Sequence, residues 1–554
     1  MLQGLEFARA FAILGKCIEY ASIFGLAAFC YRMYQVRMLI RRAQKDYGVP
    51  MIPHSFIFGH LIVAAKLHMK RKIPRDVSAH PQNNPLLHGH WMFTLLKEEF
   101  PEITSCGVIY FDPWPVGFPM MAVVHPGMIS QFTMSPSLPK FFWMRETEFR
   151  HFSGGVDLLT SEGQVWKEQR AMYNPGFSAK NIISMAPWFL EEVLIYKNRL
   201  FKAADQRKTI RLEDYTLDLT MDVIARTTFN VRTRAQDQAE PAWVDALREQ
   251  IKLIYFNLDP MKQLNPTLGY KHRKYNRILK EAITPLIEDA YASYAKADGP
   301  RTIIGLAVKP FVEKGISIPP DFIDKIVKNI KMFLFAGHET TGTTISMMYY
   351  MLHRNPEKLA ALRAEHDAVF GSDPAQAIEA IQADFTTLNK LPYTTAVVKE
   401  LLRMYPPVGG GVRESSSPDF MLTHPETGAR FPTYGLMIHA TGLAMSWDPK
   451  FWHRPDEFIP ERFLVRDEND PLYPGKNYWQ PFSLGPRACI GQEMVQLEVK
   501  LTLALTIREI DIVPDYPEDA PEFKGEKAYQ VELADAIPSA RIKDGLPVKI
   551  KRRT

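Results

Sequence analysis

Cysteine is scarce in this sequence: four residues, Cys17, Cys30, Cys106 and Cys489, in a chain of 554. Their spacing makes neither a CxxC pair nor a zinc pattern, and so few in so long a chain are no disulfide framework. A reducing compartment follows as the simpler setting. Charge of one sign is scarce too. The 67 basic and 62 acidic residues leave a net charge of +5, which is no footprint for nucleic acid. There is no internal repeat, no low-complexity block and no Gly-rich dinucleotide fingerprint of the GxGxxG kind. Glycine (31) and proline (42) are at ordinary levels, which excludes a fibrous or disordered chain. Hydrophobic residues at 46% suffice for a large core, and length alone would allow several domains.

One long apolar run opens the chain. Phe11 to Tyr31 is long enough to cross a bilayer as a helix. Lys16 and Glu19 interrupt it but share a helix face and partly neutralise each other. Arg32, Arg37, Arg41, Arg42 and Lys45 follow, a basic flank that would keep the remainder cytosolic. The alternatives are an amphipathic helix in the interface and a soluble helix. A cleaved signal fits less well, since no small-residue cleavage site follows a short apolar run. The text Tyr47 to His60 stops the helix with prolines and glycines. The run Phe56 to Ala65 is too short to span, and the lysines and arginines from Lys66 to Arg75 read as a solvated face or a membrane-facing one.

Beyond it, residues 102–124 alternate like strands, with GVIYF and PMMAVV as candidates. Helical spacing dominates from Ser161. The longest helix, Asp321 to Asn355, would be about 50 Å long. Further helices are expected at Leu359–Phe370, Tyr393–Tyr405 and Glu493–Arg508, with short strands in Arg413–Leu443 and strand-like text in Val531–Ile550. The expectation is a mainly α protein with a minor β portion.

The most informative stretch is Phe482-Ser483-Leu484-Gly485-Pro486-Arg487-Ala488-Cys489-Ile490-Gly491. Glycines let a backbone bend closely around a sulfur. Amides aimed at the sulfur and a nearby Arg487 would favour the thiolate, and a thiolate on iron pushes electron density toward O–O cleavage. The stretch resembles the haem-binding signature of the cytochrome P-450 family at Phe482, Gly485, Arg487, Cys489 and Gly491. Such a five-residue match arises by chance on the order of once in ten thousand chains of this size.

Three further motifs agree in order. Ala336-Gly337-His338-Glu339-Thr340-Thr341 lies midway along the longest helix and is similar to the family's oxygen-activation motif. By that resemblance Ala336 and Gly337 lie against the haem, Thr340 contacts dioxygen and Glu339 helps deliver protons. The bland alternative is threonines back-bonding inside a buried helix. A helical glycine costs about 1 kcal/mol, so Gly337 and Gly342 need a reason, and close approach of a flat ligand is one. Glu400 and Arg403, with Arg462 from the stretch Pro455–Phe463, resemble a structural ion network. Trp166 and Arg170, four apart on one helix face, together with Arg413 and Arg487, match the family's propionate-binding positions. Many relatives carry His-Arg where Met445-Ser446 stands here.

The resemblance implies a cytochrome P-450 fold with an N-terminal membrane helix. It implies a membrane anchor over 1–45 and a catalytic domain over 46–554. It also implies haem b ligated by Cys489, and a monooxygenase that puts one oxygen atom into an apolar substrate and releases the other as water. Electrons would come from a separate NADPH-dependent flavoprotein reductase at the endoplasmic reticulum membrane. WxPF, CIGQE and LALTxRxxDI near the end resemble fungal secondary-metabolism members of the versicolorin-pathway type, and so a polyketide-type or other polycyclic substrate. Phe141, Phe142, Trp143, Phe149 and Phe152 would form an aromatic pocket wall or pack the core. A non-oxygenase haem sensor or carrier, and a fatty-acid or terpenoid hydroxylase of the same family, are the alternatives.

Overall fold

Helix-forming text without interior proline runs from the second residue, and in the computed structural model it is one continuous helix, α1 (Leu2–Tyr47), ended by Gly48 at φ +64°. The structure describes residues 2–71, 89–134, 136–254, 265, 267–296, 301–531 and 539–553. Lys72 and Arg75 of the basic run lie outside the described residues. α1 contains the one helix, among the described residues, long and apolar enough to cross a membrane.

The C-terminal part of α1 is docked. Arg37, expected as part of a free basic flank, is fully buried and pairs with Asp112 at 2.5 Å. It also donates to the carbonyls of Phe56, Ile57 and Trp114 at 2.9–3.1 Å. Phe29 lies 4.7 Å from the Trp114 ring, and Ile40 and Ala43 share a buried cluster with Val108, Tyr110 and Ile438. A pair removed from water this completely is retained only with its hydrogen bonds satisfied. The packing therefore continues across the residue 45/46 boundary.

α2 (Leu61–Arg71) follows, then β1 (Val108–Phe111) and β2 (Met120–Val123), the two strands expected from alternation. They open a four-stranded sheet in the order β1-β2-β4-β3, where β3 is Val412–Arg413 and β4 is Met437–Ala440. β2 pairs antiparallel with β1 (Val108 opposite Val123) and parallel with β4 (Met120 opposite Met437). Helices α3 (Gly163–Tyr173) and α4 (Leu212–Phe229) precede α5 (Pro320–Arg354), the longest described helix after α1. α6 (Pro392–Met404) and α7 (Gln492–Thr506) complete the frame of the site, and short strands β5 (Gln530–Val531) and β6 (Arg541–Ile542) pair near the C-terminus.

α4 crosses α5 at close range. A Cβ on Gly337 would meet Ile224 at 2.9 Å, and one on Gly342 would meet the Leu217 side chain at 2.9 Å and its backbone nitrogen at 3.2 Å. Thr220 donates to the His338 carbonyl at 2.7 Å across the same contact. The crossing helix thus accounts for Gly342 and constrains Gly337 as well, beside the flat ligand expected from the sequence.

Candidate functional site

From Asn329 to Leu352 every residue of α5 is buried except Ala336, Gly337 and Thr340. Ala336 and its neighbour Gly337, with Thr340 one turn on, leave an opening on a helix otherwise packed all round. A second opening lies at the loop before α7, where Cys489 is accessible although deep in the molecule. Two open walls inside a packed core are space for a bound group.

The loop is shaped by its own backbone. The Cys489 amide donates to the Phe482 carbonyl at 2.9 Å, closing a turn in which Ser483 and Gly485 take φ of +62° and +75°. A Cβ at Gly485 would come within 2.3 Å of the Thr133 carbonyl oxygen, so only glycine fits. Burial pushes the Cys489 thiol up, while the Gly491 amide and Arg170 pull it down. A thiol that coordinates a metal loses its proton outright. α7 begins three residues on, so its N-terminal amides favour the anion. The cation beside the sulfur is Arg170, whose Nη1 also donates to the Ala488 carbonyl at 2.9 Å. Arg487, expected near the sulfur, turns instead to Glu162 and to the Ser161 carbonyl, with its guanidinium 4.1 Å over the Trp166 ring.

Arg413 is fully buried, its Nε has no partner among the described residues, and burial and then Arg487 bring it down to about 10. Lys140, absent from the sequence reading, bridges in backbone to Arg413 and is held well below the ordinary lysine value, by burial first and then by Arg413 and Arg487. The acidic groups acting on this trio are Glu162 and, on Lys140, Asp157. Two guanidiniums and a lysine facing so little negative charge, with a guanidinium N–H left over, form a site for carboxylates. The residues present therefore fit a haem: a sulfur for the iron, cations for the propionates and an open helix face for the flat ring. Only the run Pro139-Lys140-Phe141, a lysine set among aromatics, hinted at Lys140, and nothing local marked Glu162.

Glu339 and Thr340 do not point together. Thr340 is partly open and its Oγ1 donates to the Ala336 carbonyl at 2.8 Å, as the back-bonding alternative expects. Glu339 is buried, accepting from Ser539 at 3.0 Å and Arg541 at 3.1 Å. Glu400, Arg403 and Arg462 are all fully buried and form one network. Glu400 accepts from Arg403 at 2.8 and 2.9 Å, from Arg462 at 3.0 Å and from the Ile459 amide at 2.9 Å. Arg403 reaches the Ser446 carbonyl at 2.6 Å, so the segment that departs from His-Arg contributes backbone to it. Phe149 and Phe152 pack as core against Phe335, whereas Phe141, Phe142 and Trp143 gather around Phe118 at 5.0–5.9 Å.

Outside this site, His125 and His424 lie close to Glu426. Each ring accepts a backbone N–H at Nδ1, from Gly127 at 3.1 Å and from Glu426 at 3.2 Å. In the neutral rings the protons then sit on Nε2, and that of His125 lies 3.5 Å from the Glu426 carboxylate, an arrangement that suits hydrogen bonding and not a metal.

A profile described as cytochrome P450 matches residues 108–532. The chain is 33% identical over 532 residues to cytochrome P450 monooxygenase polC of Polytolypa hystricis, covering 93% of this chain and 92% of that one. It is 29% identical over 520 residues to cytochrome P450 monooxygenase acrF of Aspergillus aculeatus, covering 87% and 99%. In fold it is similar to the crystal structure of the cytochrome P450DA heme domain, with a TM-score of 0.69 at 20% identity, over 91% of this chain and 98% of that one.

Proposed function

The chain belongs to the cytochrome P450 family and is a monooxygenase, and on that basis we propose the roles of its residues and the class of its substrate. Cys489 would hold the iron of haem b through its sulfur. Arg413, Arg487, Lys140 and the Trp166 indole face the propionates, and Arg170 steadies the ligand loop. Ala336, Gly337 and Thr340 line the oxygen side. Haem supplies the iron at which dioxygen is reduced, one atom entering the substrate and the other leaving as water. Thr340 orients dioxygen with its hydroxyl, and Glu339 passes protons toward it. Glu400, Arg403 and Arg462 act structurally, fixing the segment beside the ligand loop. The observation that carries this reading is the accessible Cys489 thiol at depth, in a turn closed onto Phe482 with the Gly491 amide turned to the sulfur. The test is the carbon monoxide difference spectrum of the reduced protein. A strongly red-shifted Soret band in wild type that vanishes in Cys489→Ser supports it. Folded, haem-loaded wild type without that band overturns it.

The substrate is an apolar polycyclic metabolite of secondary metabolism, of the polyketide type or similar. The aromatic group Phe118, Phe141, Phe142 and Trp143 supports it, since ring faces complement flat apolar molecules. Electrons come from an NADPH-dependent flavoprotein reductase. α1 anchors the enzyme in the endoplasmic reticulum membrane with its catalytic part in the cytosol. Titration with anthraquinone, terpenoid and fatty-acid ligands tests the substrate class: a spin-state shift with the polycyclic ligands is expected, and one with fatty acid alone refutes it.

A further inference from the structure

Glu339 is held by residues far away in sequence. Its Oε2 accepts from Ser539 and its Oε1 from Arg541 Nη2 at 3.1 Å, and both donors come from the stretch that forms β6. The other arm of the same guanidinium, Nη1, lies 3.8 Å from Glu213 of α4. Glu213 is buried and also accepts from Thr343 at 2.9 Å and from the Ile542 amide at 3.3 Å. His338 Nε2 is 4.0 Å from Glu339, but His338 stays neutral: burial brings it down to about 4. Its Nδ1 lies 2.6 Å from the Leu334 carbonyl, which places the ring proton there and leaves Nε2 without one. Asp214 adds a further acidic field at Glu213 and Arg541, and Arg248 a basic one at His338.

Two carboxylates therefore share one guanidinium in a buried setting, next to an alcohol and one residue from Thr340. Successive helix residues point about 100° apart, so Glu339 lies on the packed side while Thr340 lies on the open side. We infer that Arg541 is a positioning residue for proton delivery, bridging Glu213 and Glu339 so that the acid is held off the cavity and poised through Ser539 and the C-terminal strand pair. The inference rests on the reading of Glu339 as the proton-passing acid. It adds where that acid is held and by what, and it makes β6 part of the catalytic apparatus although it touches no reacting atom. Burial pushes Glu213 up, against the pull of Arg541, Thr343 and the Ile542 amide, as expected for a carboxyl removed from water.

The test uses the full-length haem-loaded enzyme with its flavoprotein reductase and no organic substrate. Dioxygen that takes two electrons and two protons leaves as hydrogen peroxide; with four of each it leaves as two waters. The peroxide fraction per NADPH is followed against pH for wild type, Glu339→Gln, Arg541→Gln, Arg541→Lys and the double variant Glu339→Gln/Arg541→Gln. Removing the cation is expected to move the midpoint of the profile up by about 1–3 pH units. Arg541→Lys should move it the same way by less, and the double variant should add nothing to Glu339→Gln. An infrared titration of the resting protein provides a readout independent of turnover: the protonated-carboxyl band should persist to higher pH in Arg541→Gln. If Arg541→Gln does not fold, Arg541→Lys carries both measurements. A profile moved by Glu339→Gln but unmoved by either Arg541 variant overturns the inference and leaves the acid's role standing. A profile unmoved by Glu339→Gln overturns that role and the inference with it.

Discussion

Arg487 stacks its guanidinium 4.1 Å above the indole of Trp166, while its edge is turned to Glu162. A cation held by an aromatic face and one carboxylate is pre-organised for a second anion, and a flexible lysine is not an equivalent. Trp166→Ala and Arg487→Lys should each release haem faster, on the order of tenfold for one charge-assisted contact of about 1.5 kcal/mol. Transfer of haem to apomyoglobin measures it, and unchanged transfer rates would remove both residues from the haem site.

Among the described residues, Glu400 is the single carboxylate between two fully buried guanidiniums. Glu400→Gln leaves Arg403 and Arg462 uncompensated, which should cost about 3–5 kcal/mol. A urea midpoint equal to wild type would show the network to be dispensable.

Lys331 is buried on α5, donating to the Phe152 carbonyl and to Asn276. Burial, and then Lys328, bring it from 10.5 down to about 7. Between those values the unfolded chain holds the proton and the folded chain does not, so this group makes stability rise with pH across the interval. The rise amounts to roughly 5 kcal/mol at most. Lys331→Met should abolish it, and paired urea titrations near neutral and near pH 9.5 would reveal a slope that the variant lacks. Parallel slopes in the two proteins would mean that Lys331 stays charged in the fold.

Gly342 faces the Leu217 backbone, which cannot move aside, whereas Gly337 faces an isoleucine side chain that can. Gly342→Ala should therefore destabilise by about 1–3 kcal/mol through overpacking, and Gly337→Ala by less. Thermal unfolding of the two variants gives the order, and a reversed order would place a different constraint on Gly337.

The two strands before the ligand loop, the long α5 and the loop around Cys489 were all legible in the sequence, because each depends on local pattern. Alternation marks β1 and β2, helical spacing marks α5, and paired glycines around a cysteine mark a bent loop. The Glu400–Arg403 pair was legible too, since the two residues stand three apart on one helix face, and Arg462 joins them in the fold. What came out differently rests on contacts between distant segments. Lys140 joins Arg413 across a β-bridge, Arg37 leaves the membrane flank to meet Asp112, and Gly342 is explained by a helix more than a hundred residues earlier. The chain alone thus points to candidate residues, through local spacing and side-chain type. Which charge neutralises which, and which way Glu339 and Arg487 turn, is settled by the packing, because a buried ion takes the partner that the fold brings within reach.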